Sequence, residues 1–169
     1  GECFDCYYQK GLTDNWYLVQ SRRDHYVGYV YDSQIENPTF VSNAKVAKLS
    51  TQVYQQPDMK SPLLCQLPLG SELLVDTTSL NRDQLAGAEG NQYIFSAPLN
   101  GWLYQDHLQF NDQPATDPVA IARQFIGQSY MWGGRSGWGC DCSSLVQLCY
   151  ELCGCVLPRD AKLQQIYSP

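Results

Sequence analysis

The sequence predicts an α+β chain in which small β-barrel or sandwich units precede a helical C-terminal portion. Three observations predict it. Short β-rich runs separated by turn residues fill the chain up to about Phe110, at a spacing that suits a small barrel or sandwich. From Asp117 onward apolar residues recur at helical spacing between cap signals. Between the helical stretches a glycine-rich aromatic loop, Tyr130-Met-Trp-Gly-Gly-Arg-Ser-Gly-Trp-Gly-Cys-Asp-Cys142, delivers a cysteine to a helix start.

Taken in order, residues 16–31 read as two strands around a polar turn, a hairpin. A polar linker containing Pro38 follows over Asp32–Ser42. Strands are expected at Lys45–Leu49, Gln52–Tyr54, Leu63–Leu67, Leu73–Asp76, Tyr93–Ala97 and Gly101–Tyr104. Pro57-Asp58, Pro68-Leu-Gly70 and Asn100-Gly101 supply the turns between them. Asp117-Pro118 reads as an N-cap with proline in the first helical position. Val119, Ala122, Phe125 and Ile126 mark the expected inward face of that helix, up to a stop at Gly127. A second helix is expected from Cys142 to Cys153, with Leu145, Leu148, Cys149 and Leu152 inward and Gly154 ending it. Arg159–Ile166 reads as the start of a third.

Composition narrows the function. The 169 residues carry 17 acidic against 11 basic side chains, a net charge of −6, and 44% apolar residues, enough for packed cores. The scattered Lys and Arg form no basic stripe, so a nucleic-acid partner is excluded. No apolar run approaches the roughly 18 residues a membrane span requires. Five of the eight cysteines, Cys140, Cys142, Cys149, Cys153 and Cys155, crowd into one loop, one helix and its exit, which resists a disulfide framework. Of a cytoplasmic and a cell-envelope home, that placement favours the cytoplasm. No metal or other cofactor is expected: Cys3-x-x-Cys6 has no partner pair, and the crowded region lacks paired C-x₂-C spacing. Glycines 133, 134, 137 and 139 lack the Gly-Lys-Ser/Thr ending of a phosphate loop.

The thiol of Cys142 has a physical reason to be reactive. Free N–H groups and the positive end of a helix stabilise a thiolate, and such positions lower a cysteine pKa from about 8.5 to roughly 3.5–7.5. A buried structural thiol is the competing reading for Cys142, and the flanking residues weigh against it. For Cys149, Cys153 and Cys155 the weighting reverses, and they are expected to be small core residues.

Three motifs stand in order: Tyr130-x-Trp132-Gly133-Gly134, then Asp141-Cys142-Ser143-Ser144-Leu145-Val146-Gln147, then Leu157-Pro158-Arg159-Asp160-Ala161 with Gln164. Together they resemble the NlpC family of papain-like cysteine peptidases, which cleave peptidoglycan stem peptides. Ser144 departs from the glycine usual there. Ala44, Val46, Leu49, Val53, Tyr54, Pro57-Asp58, Leu64, Leu67-Pro68-x-Gly70 and Gly101-Trp-Leu-Tyr104 are similar to a bacterial SH3-like domain, and residues 16–35 to the last strands of another. The resemblance implies three units: 1–40, the end of a first SH3-like domain; 41–112, a second; and 113–169, the helical N-terminal half of a papain-like NlpC domain.

The same resemblance implies a bacterial γ-D-glutamyl-L-diamino acid endopeptidase acting on stem peptides or murein tripeptides, its oligomeric state open. Cys142 matches the nucleophile, and Tyr130, Asp141 and Ser143 match positions around substrate. Tyr130 offers a hydroxyl to an oxyanion pocket, and Asp141 a carboxylate to an amino terminus. Tyr26, with Tyr29 as the alternative, is expected to face the cleft, while Arg159 and Asp160 hold the loop together. A cysteine peptidase also needs an imidazole within hydrogen-bond reach. His25 and His107 both precede Cys142, and His107, in the closing turn of the second β unit, is expected to be structural. The chain, which opens without an initiator Met, is therefore expected to be an inactive fragment of an active parent. The alternative is a non-catalytic module in which SH3-like domains bind wall peptides.

Overall fold

A computed structural model describes residues 3–7, 15–35, 40–78 and 92–167. Pro38, expected in the linker, lies outside the described residues. Strands β1 (Phe4–Tyr7), β2 (Trp16–Ser21) and β3 (Val27–Tyr31) form an antiparallel sheet in sequential order. The expected hairpin is β2–β3, paired from Trp16↔Tyr31 to Gln20↔Val27. Its turn is tightly organised. The Ser21 hydroxyl accepts the Arg23 and Asp24 N–H groups, and the Ser21 N–H donates to the Tyr26 carbonyl at 2.9 Å. His25 takes the left-handed conformation, φ 58°, that completes the reversal.

The next seven strands enclose one core. Strands β4 (Ala44–Val46), β7 (Glu72–Leu73) and β10 (Leu108–Phe110) form a sheet ordered β10-β4-β7. Strands β5 (Ser50–Tyr54), β6 (Leu63–Pro68), β8 (Tyr93–Ser96) and β9 (Gly101–Tyr104) form a second, ordered β6-β5-β9-β8. Alternate residues of both sheets, Ala44, Val46, Val53, Leu73, Ile94 and Leu103, meet in the interior. Each large aliphatic side chain buried there contributes on the order of 1.5–3 kcal/mol. Gly101 is needed where β9 closes on β5, because a Cβ there would stand 2.5 Å from Val53 Cγ1. The strand expected over Leu73–Asp76 is shorter than the sequence implied. Beyond Leu73 the Asn43 side chain replaces the ladder, accepting the Val75 N–H at 2.9 Å and donating to the Val75 carbonyl at 2.8 Å.

The C-terminal portion holds helices α1 (Pro118–Arg123), α2 (Cys142–Leu152) and α3 (Ala161–Tyr167), and a short ribbon of β11 (Arg135–Ser136) and β12 (Gly139–Cys140). Asp117 caps α1 as expected, its Oδ1 accepting the N–H groups of Val119 and Ala120. The expected inward face of α1 needs correction. The helix stops at Arg123, and the chain continues through i→i+3 turns to Gly127 at φ +90°. Ile121 and Phe125 therefore face inward, while Val119 and Ile126 are exposed.

Helix α2 ends as expected, with Gly154 at φ +79°. Its Leu148, Cys149 and Leu152 pack with Ile121, Phe125, Cys140 and Leu69 in a second core. Leu69 belongs to the β6–β7 turn, so the β unit and the helices share this core. Gly70 beside it, at φ +84°, lies where a Cβ would stand 3.2 Å from Leu148 Cδ2. All eight thiols are free. Cys149 is buried as expected, and burial pushes its thiol up to about 11. Cys155 is exposed, against expectation, because it follows the Gly154 stop, where the chain leaves the core. Among the described residues no helix is long and apolar enough to cross a membrane.

Candidate active site

Cys142 is the first residue of α2, and it is exposed. Asp141 is the N-cap, in extended backbone at φ −93°, ψ 179°. Its Oδ1 accepts the Ser144 N–H at 2.9 Å, while the Ser144 hydroxyl accepts the Asp141 N–H at 3.0 Å, a reciprocal capping box. Ser144 thereby earns its place at a position where glycine was expected. Its hydroxyl also donates to the Gly134 carbonyl at 2.6 Å, tying the aromatic loop to the helix start. The loop approaches closely elsewhere too. A Cβ on Gly137 would fall 1.7 Å from the Leu49 carbonyl oxygen, and one on Gly134 2.7 Å from that of Gly139.

Asp141 is held from several sides. Arg159 donates to both carboxylate oxygens, Nη1 to Oδ1 at 3.0 Å and Nη2 to Oδ2 at 2.6 Å, with each side chain 12% exposed. The Ser143 hydroxyl and the Gly133 N–H donate to the same carboxylate at 3.2 Å. The Arg159 bonds hold the Asp141 carboxyl well below the usual carboxylate range; burial opposes this, and the Ser144 N–H reinforces it. The Arg159 guanidinium is raised in turn, chiefly by Asp141. Gln164 on α3 donates to the Ser143 and Pro158 carbonyls at 2.9 and 2.8 Å. The segment after α2 thus braces the helix start that carries the thiol.

The five residues read from the sequence differ in placement. Cys142, Asp141 and Ser143 adjoin at the helix start. Tyr130 is bridged to Cys140 beside them and is 63% exposed. Tyr26 is exposed at the β2–β3 turn, which Asp24 ties to Gln147 of the thiol helix. The N–H groups of Cys142 and Ser143, first in the helix, have no protein partner among the described residues, as the first turn of a helix dictates. Neither imidazole is hydrogen-bonded to Cys142 among the described residues. His107 shares a hydrogen with Thr51 Oγ1 through Nδ1 at 2.9 Å and packs on the Tyr104 ring at 5.2 Å.

One cluster had no sequence signal. Glu151 of α2, its side chain 4% exposed, accepts from Arg23 at 2.8 Å, Lys45 at 3.1 Å and Arg135 at 2.5 Å. One turn earlier Gln147, 1% exposed, binds Arg135, Asp24 and the Leu157 carbonyl. Three distant chain segments converge on one helix face.

The chain is similar to several known proteins. Residues 127–168 match the NlpC/P60 family. The chain is 30% identical to a dipeptidyl-peptidase 6 of Lysinibacillus sphaericus, over 90% of this chain and 60% of that protein. It is 29% identical to a γ-D-glutamyl-L-lysine dipeptidyl-peptidase of Bacillus cereus, over 78% of this chain and 39% of that protein. The chain therefore spans about 60% or less of the length of these curated relatives. Its fold matches the crystal structure of an NlpC/P60 family protein from Bacillus cereus, with a TM-score of 0.72 and 22% identity over 97% of this chain and 56% of that one. The loop, the capped thiol helix and the bracing segment all lie within residues 127–168, the stretch that matches the NlpC/P60 family.

Proposed function

We propose that the protein carrying this chain is a cysteine peptidase that cleaves γ-D-glutamyl–diamino acid bonds in peptidoglycan stem peptides. The observation that carries the reading is an exposed thiol at the first position of a rigidly capped helix, inside the segment that matches a peptidase family. The name of the Bacillus cereus relative, a γ-D-glutamyl-L-lysine dipeptidyl-peptidase, supports the choice of bond. In the reaction the Cys142 thiolate attacks the amide carbonyl, and the oxyanion is received by the Cys142 N–H with the Tyr130 hydroxyl. The tetrahedral intermediate collapses to an acyl-enzyme, and the leaving amine takes a proton from an imidazolium. Water, deprotonated by the same imidazole, then releases the acid. That imidazole is supplied from outside the 169 residues, so this chain alone is inactive. What supports this is that His107 is engaged with Thr51 and that neither imidazole is hydrogen-bonded to Cys142 among the described residues.

In the same reading residues 1–40 are the end of one SH3-like domain, 41–112 a second, and 113–169 the first part of a papain-like domain. Ser143 and Tyr26 line the substrate side. Asp141 acts mainly as the cap that fixes the thiol, because Arg159 compensates its charge. The alternative, a module that binds wall peptides without cleaving them, separates from this one in a single assay. Full-length protein incubated with L-Ala-γ-D-Glu-L-Lys should release L-Lys, and Cys142→Ala should not. Binding of the tripeptide without cleavage by the unsubstituted protein would favour the binding module.

A further inference from the structure

One carboxylate hooks the turn that carries Tyr26 onto the helix that carries the thiol. Asp24 Oδ1 accepts the Tyr26 N–H at 3.2 Å, and its Oδ2 accepts Gln147 Nε2 at 2.7 Å. The orientation of the Gln147 amide is fixed by its neighbours. Arg135 Nε, a donor, holds Oε1 at 2.6 Å, so Nε2 must face the two acceptors, Asp24 Oδ2 and the Leu157 carbonyl at 2.9 Å. Leu157 lies two residues before Arg159, the partner of Asp141, and Arg135 opens the ribbon that leads to Cys142. A single buried amide therefore registers the Tyr26 turn against both segments that frame the thiol. A separate tie, Arg23 to Glu151 at 2.8 and 2.9 Å, anchors the turn as a whole.

We propose that Asp24 and Gln147 are positioning residues for substrate recognition: their hydrogen bond holds the turn that carries Tyr26 against the thiol helix, so that Tyr26 meets the bound peptide. The proposal rests on the peptidase reading above. Asparagine at position 24 tests it cleanly, because Asn has one carboxamide acceptor where Asp has two. It keeps the Tyr26 N–H or the Gln147 amide, not both, while Arg23–Glu151 keeps the turn docked.

The measurement is kcat and KM of the full-length protein for L-Ala-γ-D-Glu-L-Lys. Asp24→Asn should raise KM on the order of tenfold, the loss of one hydrogen bond to a charged group, with kcat within about twofold. The unfolding midpoint should stay close to that of the unsubstituted protein. Arg22→Ala, which loses an exposed pair with Asp5, should change neither constant. If the unsubstituted protein cleaves the peptide and Asp24→Asn keeps its KM, the proposal alone is overturned. A lowered unfolding midpoint with unchanged KM also overturns it, by leaving Asp24 a purely structural role. If the unsubstituted protein cleaves nothing, the peptidase reading falls and the proposal falls with it.

Discussion

Replacing Arg159 with Met would test how the thiol helix is held. Met keeps the apolar stem and removes the guanidinium that donates to both oxygens of Asp141. Breaking a buried ion pair by removing one partner costs about 3–5 kcal/mol. Asp141 retains three donors, from Ser144, Ser143 and Gly133, and is 12% exposed, so a loss of about 2–3 kcal/mol is expected at neutral pH. The pH dependence gives a second check. The folded pKa of Asp141 is depressed, so the stability it contributes is present above its unfolded pKa, about 3.9, and lost as pH falls through the folded value. Arg159→Met removes much of that depression. The gap between the two proteins, measured by urea unfolding of the full-length protein, should be full at pH 7 and start to close below about pH 4. An unchanged urea midpoint at pH 7, or a gap that widens on acidification, would refute the reasoning.

Other substitutions probe the surroundings. Gly137→Ala drives a Cβ into the Leu49 carbonyl, where backbone meets backbone, so the ribbon must shift; a loss of about 1–3 kcal/mol is expected in urea unfolding, with slower alkylation or cleavage at Cys142. His107→Gln should leave peptide cleavage unchanged, since that ring serves Thr51. Burial first, and then the Lys48 charge, lowers the folded pKa of His107, so its contribution is present above about pH 6.5 and lost on acidification. The stability of His107→Gln should therefore fall less between pH 7 and pH 5 than that of the unsubstituted protein. Gly70→Ala places a Cβ against Leu148 in a left-handed backbone conformation and should cost about 1–2 kcal/mol by the same measurement.

How much of this was legible in the sequence depends on chain separation. The thiol at a helix start, the Asp117-Pro118 cap and the Gly154 stop are local signals, and each stands where the sequence put it. The 3.6-residue period does not reach Ile126, because the helix closes after six residues and the chain turns away at Gly127. Cys155 was misplaced because composition says that thiols are buried, while the glycine before it turns the chain outward. The capping role of Ser144 is legible in the sequence, since Asp141 and Ser144 have capping-box spacing. The Glu151 and Gln147 clusters join residues separated by up to 128 positions, and no periodicity or motif in one sequence encodes such pairings.

Alkylation under turnover would show whether Cys142 is the nucleophile of a peptidase. Full-length protein would be treated with iodoacetamide with and without L-Ala-γ-D-Glu-L-Lys, then assayed for release of L-Lys and mapped by mass spectrometry. Loss of activity should track modification of Cys142 one for one, and the peptide should protect both. Full activity in protein alkylated at Cys142 would contradict that role.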